Sequence, residues 1–181
     1  MSQWNLDLAH STATFSAKHM MISTVRGNLA VTGGSINFDP ANPAAASVEA
    51  TLDTASINTG MGDRDNHLRS PDFLDAATYP TISFKSTKVE PTGEGTARVH
   101  GDLTIRDVTK PVVLEATLDG VGKDPFTGSD KAGFTATATI NREDWGLTWN
   151  VALEAGGWLV GKEIKLTLEV EAAKVAETVA A

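Results

Sequence analysis

Between Met61 and Pro80 the chain gathers Asp63, Arg64, Asp65, His67 and Arg69 beside Leu68, Phe73 and Leu74. Carboxylates, an imidazole and guanidinium groups this close could move protons, hold a metal or grip a polar ligand. The alternate positions of Asp63, Asp65 and His67, with His10, His19 or His100, offer metal-ligand types. On a helix, however, residues two apart point to different sides. Asp63 with His67 and Asp65 with Arg69 stand at i,i+4, where pairs simply support a helical turn, and this reading outweighs a metal centre. No catalytic residue and no metal ligand is therefore expected. A hydrolase or metal-dependent isomerase using Asp65 and His67 at the mouth of a cavity stands as the alternative.

Arg64 could pin a backbone carbonyl or carboxylate, or receive a polar ligand head, and Arg142 offers the same choice. His19 continues the inward parity of Phe15 and Ala17, as a hydrogen-bonded core residue or a contact to such a head. Asp124, Gly128 and Asp130 lie in a Gly-rich connection without the spacing or terminal Glu of a calcium loop. There is no Gly-x-Ser-x-Gly elbow, no phosphate-cradling loop and, with no cysteine, no thiolate chemistry.

At 181 residues the chain suits one domain. Its net charge of -8 repels nucleic acid and anionic lipid surfaces. The N-terminus has no basic and apolar leader pattern, and no apolar run reaches membrane-spanning length. The expectation is a cytoplasmic protein as written, or a periplasmic or secreted one if a leader has been trimmed, with no stable membrane insertion.

These side chains must be positioned by strands, because apolar residues recur with period two along most of the chain. Ile164, Leu166, Leu168 and Val170 share one face, with Glu163, Lys165, Thr167 and Glu169 on the other. The same alternation turns inward Trp4, Leu6 and Leu8, then Ala13, Phe15 and Ala17, then Val48, Ala50 and Leu52. It continues through Ile82 and Phe84, Ala97 to Ile105, Val112 to Leu118, and Phe134 to Ile140. From Arg26 to Asp39 the parity switches at Gly33 and Gly34, which predicts a bulge. Turn residues at Asp39-Pro40, Pro91–Gly95 and Gly120–Gly133 set the rhythm of an antiparallel meander.

Eight or nine such strands close most economically into a barrel, which leaves no edges. Ser70, Pro71 and Asp72 read as a helix start, and Asn58 or Thr59 as the cap of an earlier turn, so two short helices are expected within 58–76. Residues 1–172 form the domain, and 173–181 a flexible or helical tail. Inner-face alanines at 13, 17, 50, 97, 116, 136 and 138 leave open either a narrow plugged barrel or a wide one with an apolar cavity.

The ordered set Trp4, Asp7, His10, Ser11, Phe15 and Gly27, then Arg64, Asp65, His67, Leu68 and Phe73, resembles the YceI family. The likeness continues through Tyr79-Pro80, the Phe84 to Thr87 run, Gly101 to Ile105, Val108 to Pro111 and Asn141-Arg142, from Trp4 to about Val170. The resemblance implies an all-β, extended, eight-stranded antiparallel lipocalin-like barrel whose apolar channel holds a long isoprenoid quinone, polyprenyl lipid or similar amphiphile. It implies a carrier and no catalysis, with the lipid as ligand, no cofactor, and a homodimer left open. Asp107 departs from the family's usual Gly, a change confined to a turn.

On this reading Phe15, Ala17, Leu52, Leu68 and Phe73 line the channel. Phe84, Leu103, Phe134, Trp149 and Trp158 complete that lining. His19, Arg64, Asp65, His67 and Arg142 meet the polar head or anchor a lid.

Overall fold

A computed structural model describes residues 1–176. Strands β1 (Ser2–Leu6), β2 (Thr12–His19), β3 (Ser23–Phe38) and β4 (Ser47–Asn58) are followed by the helix α1 (Gly62–Arg69). Then come β5 (Thr81–Gly93), β6 (Thr96–Ile105), β7 (Val108–Lys123), β8 (Asp130–Asn141) and β9 (Val160–Lys174). Single 3-10 turns occupy Leu8–His10, Pro43–Ala45 and Arg142–Trp145.

From β2 to β9 every strand pairs antiparallel with the next, and β9 returns to pair with β2. β1 runs in the same direction as β2 and lies between the same neighbours, with Trp4 opposite both Ile36 and Lys174. The two strands are thus one stave interrupted by the Leu8–His10 turn, and the barrel is a closed eight-stranded antiparallel one. Leu8 falls in that interruption and is 49% exposed, so the inward parity of Trp4 and Leu6 stops before it.

The bulge expected at Gly33-Gly34 is present, since Val31 faces Leu52 while Gly33 faces Thr51. Gly34 has φ +149, and a Cβ there would lie 2.7 Å from Leu6 and 2.9 Å from the Ala50 backbone. The extra residue lets Leu29 and Val31 on one side, and Ile36 and Phe38 on the other, all face the interior. At the β6–β7 turn the left-handed residue is Arg106, at φ 58, so Asp107 does not need to be glycine.

Four expectations need correction. Only one α-helix lies in 58–76, because Ser70 ends α1: its hydroxyl donates to the His67 carbonyl and accepts from the Asp72 amide, leaving 71–78 as turns. Neither Asn58 nor Thr59 caps α1; the N-cap is Met61, without a side-chain hydrogen bond, and Asn58 instead accepts from the Gly60 amide. The Gly120–Gly133 connection is largely strand, with only 124–129 outside β7 and β8. At the C-terminus, β9 extends through Lys174, so the first two residues of the expected tail pair with β1 and β8. The rest of that expectation, over 177–181, lies outside the described residues.

The seam where β1, β8 and β9 meet carries a half-buried ion cluster. Lys131 Nζ lies 2.6 Å from Asp7 and 2.9 Å from Glu171. The hydrogen bond from Lys131 is the main cause that holds the Asp7 carboxyl down at about 2, from an ordinary 3.8. A carboxyl depressed in the folded state stabilises the fold above its unfolded pKa, and this is lost as pH falls from about 4 through about 2. Asp7→Asn is therefore expected to lower stability by about 1–2 kcal/mol at pH 6 and to converge with wild type toward pH 2. Urea unfolding at stepped pH checks this, and an equal gap at both ends would contradict it.

Candidate functional site

The inward-facing residues do not fill the barrel. They enclose a cavity of about 700 Å³, within the range of small-molecule sites. Val48, Leu52, Phe84, Leu166 and Leu168 face inward yet are only half-buried, because their free surface borders this space. In register, Ala97 lies opposite Ala116 and Ala116 opposite Ala136, so three methyl side chains abreast set back the wall of β6, β7 and β8. The open reading of the small inner residues is the one the structure realises. Glu94, at the rim, is the one ionisable residue in the lining among the described residues.

The two ends differ. At one end stand the turn at Pro43–Ala45, the β5–β6 turn and the β7–β8 hairpin. Cavity-lining residues here, including Pro40, Ser47, Glu94, Thr96 and Gly120, are exposed, so this is the mouth. At the other end Ile57, Leu74, Ile105, Ile140, Trp145 and Leu147 pack into one buried cluster. Trp145 Nε1 donates to the Leu103 carbonyl at 3.0 Å, which fixes the indole across that end. This is a plug.

The charged island sits over the plug, opposite the mouth. A helix of eight residues with so polar a sequence is marginal alone, and it is held by side-chain bonds to β4 and its exit. Arg64 donates from Nε to the Thr59 hydroxyl at 2.6 Å and from Nη2 to the Thr59 carbonyl at 2.9 Å. Asp65 is buried and accepts from the Thr59 hydroxyl at 2.5 Å and amide at 2.8 Å. The bond from the Thr59 hydroxyl is the main reason that its carboxyl is held below the usual range.

Arg69 donates to the Ala55 carbonyl at 2.7 Å and the Ile57 carbonyl at 2.9 Å. The pairing of Asp65 with Arg69 expected from spacing is thus replaced by Thr59 on one side and backbone on the other. His67 likewise meets Asp72 at 2.9 Å instead of Asp63. Its ring packs edge-on against Phe73 and Trp149, with centroids 5.0 and 4.5 Å away.

Arg142 is 3% exposed and lies outside the cavity lining. It donates to the carbonyls of Leu147 at 2.5 Å, Gly161 at 3.0 Å and Val160 at 3.4 Å, and its guanidinium stands 6.0 Å from the Phe73 ring centre. Burial pushes its pKa down from the ordinary value. It ties the 3-10 turn to the start of β9.

Of the ten apolar positions expected along the channel, Phe15, Leu52, Phe84, Leu103 and Phe134 border the cavity. Ala17, Leu68, Phe73, Trp149 and Trp158 do not. Leu68 packs against the plug cluster, Phe73 is buried beside His67, Trp149 meets the His67 ring edge-on, and Trp158 is 49% exposed on the long loop before β9. Of the five polar positions, His19, Arg64, Asp65, His67 and Arg142, none borders the cavity. His19 is the last residue of β2, at the plugged end beside the turn to β3, and Ala17 and His19 both lie beyond the residues that border the cavity.

Sequence reasoning missed the rim residues Ser47, Glu94 and Thr96, whose only signal is that they flank turns. Asp7, His10 and Glu171 also approach one another closely enough to hold a metal ion. The Lys131 ammonium already supplies the positive charge there, which makes the cluster an ion-paired seam.

An antiparallel barrel closed at one end, with an apolar interior and an accessible mouth, defines a lipocalin-like ligand-binding architecture. The chain matches the family model described as a YceI-like domain over residues 4–172, and it belongs to that family. A UPF0312 protein of Pseudomonas savastanoi pv. phaseolicola is 45% identical over 138 residues, 76% of this chain and 71% of its own length. The Burkholderia cenocepacia protein BcnA superposes with a TM-score of 0.75 at 25% identity, covering 92% of this chain and 98% of its own. A structure from Saccharophagus degradans, described as a polyisoprenoid binding domain implicated in plant cell wall breakdown, shares the fold with a TM-score of 0.70. It is 13% identical and covers 97% of this chain and 100% of its own.

Proposed function

We propose that this protein is a carrier that holds one long apolar amphiphile, of the isoprenoid quinone or polyprenyl class, inside the barrel. The observation that carries the reading is the cavity of about 700 Å³ with apolar walls and, among the described residues, a single ionisable one at its rim. Each methylene taken from water into such walls contributes ~0.8 kcal/mol, so a chain of modest length is retained without any strong polar contact. Walls of this kind distinguish chains by width and length more than by chemistry.

The polar head belongs at the mouth, beside Ser47, Glu94 and Thr96. The five polar residues expected to receive it stand outside the lining at the other end of the barrel. A binding role, with no catalysis, agrees with Asp65 and His67 being committed to Thr59 and Asp72 and with their separation from the space a substrate would occupy. The Saccharophagus domain, alike in fold, is described by the same class of ligand.

Protein purified gently from its own host and extracted with organic solvent is expected to yield a stoichiometric lipid by mass spectrometry. Emptied protein should then bind quinones or polyprenols of sufficient length. Repeated failure to find any lipid, together with no uptake of either class, would overturn the proposal.

A further inference from the structure

We propose that the tip of the β7–β8 hairpin docks the mouth of the barrel on a lipid bilayer, with Phe126 as the side chain that enters the membrane; this rests on the carrier reading. Phe126 is 96% exposed, the most exposed large apolar side chain among the described residues. An isolated exposed apolar residue is ordinary, but this one is presented by a built turn. The Asp124 carboxylate accepts from the amide of Phe126 at 2.8 Å and from the hydroxyl of Thr127 at 2.8 Å. The Asp124 backbone adds bonds from the Gly128 amide at 2.8 Å and to the Ser129 carbonyl at 2.9 Å, and Gly128 supplies the left-handed residue at φ 69. The carboxylate fixes the chain on both sides of the phenyl group, so its exposure is a feature of a defined turn.

The occupant follows from what lies beneath the tip. The paired stem rises from Gly120, which lines the cavity, to Lys123, about 10 Å further along the strand. On the inner side of this stem, Val121 lies opposite buried Ala132 and is itself 57% exposed. Below it, Leu118 and Phe134 border the cavity. Phe126, Val121, Leu118 and Phe134 thus mark an apolar route from the outermost point of the hairpin into the binding space. Such a route serves a guest that passes between a bilayer and the barrel without crossing water.

The charges near the tip indicate the kind of surface. Lys123 lies 3.8 Å from Asp130, Lys131 is held by Asp7 and Glu171, and the chain carries a net charge of -8. No cationic surplus draws the hairpin to anionic lipid, so attachment is apolar, weak and reversible, as a carrier that must depart again requires.

The absence of cysteine makes a single labelling site simple to build. With an environment-sensitive fluorophore on Phe126→Cys, phosphatidylcholine vesicles should shift the emission to the blue, and adding phosphatidylglycerol should not increase the shift. The same label on Met21→Cys, an exposed apolar position at the plugged end, should not respond. In unlabelled protein, Phe126→Ser should slow transfer of a fluorescent polyprenyl probe from vesicles about tenfold while leaving its uptake from an ethanol dispersion unchanged.

No shift at 126, a shift at 21 as large as that at 126, or unchanged transfer in Phe126→Ser would each overturn the docking proposal. Failure of wild type to take up the probe from ethanol would instead overturn the carrier reading.

Discussion

Ala116→Trp is expected to remove retention of a long apolar ligand while leaving the barrel folded. Ala116 borders the cavity between Ala97 and Ala136 in the register of β6, β7 and β8, so an indole there projects across space the ligand needs. In a filled core the same change would cost about 1–3 kcal/mol through overpacking. Here the ring enters a void and removes apolar surface from water, so the melting temperature should stay at or above that of wild type.

If the ring displaces three or four methylenes of the guest, about 2–3 kcal/mol of binding is lost, roughly 30- to 150-fold in affinity. Titration with a long-chain quinone, beside thermal unfolding, checks both halves. Unchanged affinity in a folded variant would place the ligand somewhere other than this cavity. A short-chain analogue should be affected less, because it can remain nearer the mouth.

The second large effect is on stability. Arg142→Met keeps much of the side-chain volume but takes the guanidinium donor from the carbonyls of Leu147 and Gly161 in a buried site, while the Val160 carbonyl keeps the Asn150 amide at 2.7 Å. An unpaired buried polar group costs about 1–3 kcal/mol, and two carbonyls lose their donor together, so a loss of about 2–5 kcal/mol is expected. For a chain of this size that corresponds to a fall of roughly 10 °C in melting temperature. Arg142→Lys should recover only part of the loss, since one ammonium lacks the flat fork that reaches separate carbonyls.

Ligand affinity measured well below the melting temperature should not change in either variant, because Arg142 stands outside the cavity. The reverse result, intact stability with lost binding, would make Arg142 a ligand anchor.

Much of the barrel was legible before any coordinates, for a local reason. Side chains alternate across a strand, so Ile164, Leu166, Leu168 and Val170 announce both a strand and its buried face from adjacent residues alone. The Gly33-Gly34 bulge was legible in the same way, as a change of parity at residues without a Cβ. Phe15, Leu52, Phe84, Leu103 and Phe134 followed from that alternation and do border the cavity.

Where prediction failed, the alternation had been interrupted or had never applied. Leu8 leaves the inner face when β1 gives way to a turn, and His19 ends β2 at the plugged end, past the cavity that the alternation points toward. Leu68, Phe73, Trp149 and Trp158 were placed by their apolar character without a strand to orient them. Ser70 followed by Pro71 has the composition of a helix start, yet the hydroxyl is taken by the turn of helix behind it.

The amino-acid sequence by itself determined that this chain is an all-β barrel of the YceI family, which face of most strands is buried, and that its inner face is rich in small residues. Only the tertiary structure decided that these small residues leave a cavity, which end of it is open, and that the charged island lies over the closed end. The reason is one of range. Alternation is a property of neighbouring residues, whereas the plug joins Ile57, Ile105, Ile140 and Trp145, and the mouth joins Pro40, Glu94 and Gly120. Nothing local in the charges of Asp63, Arg64, Asp65 and His67 distinguishes a lid over a ligand from a brace beneath one; the plug packed between α1 and the cavity, with the bonds from α1 to Thr59, sets them as the brace.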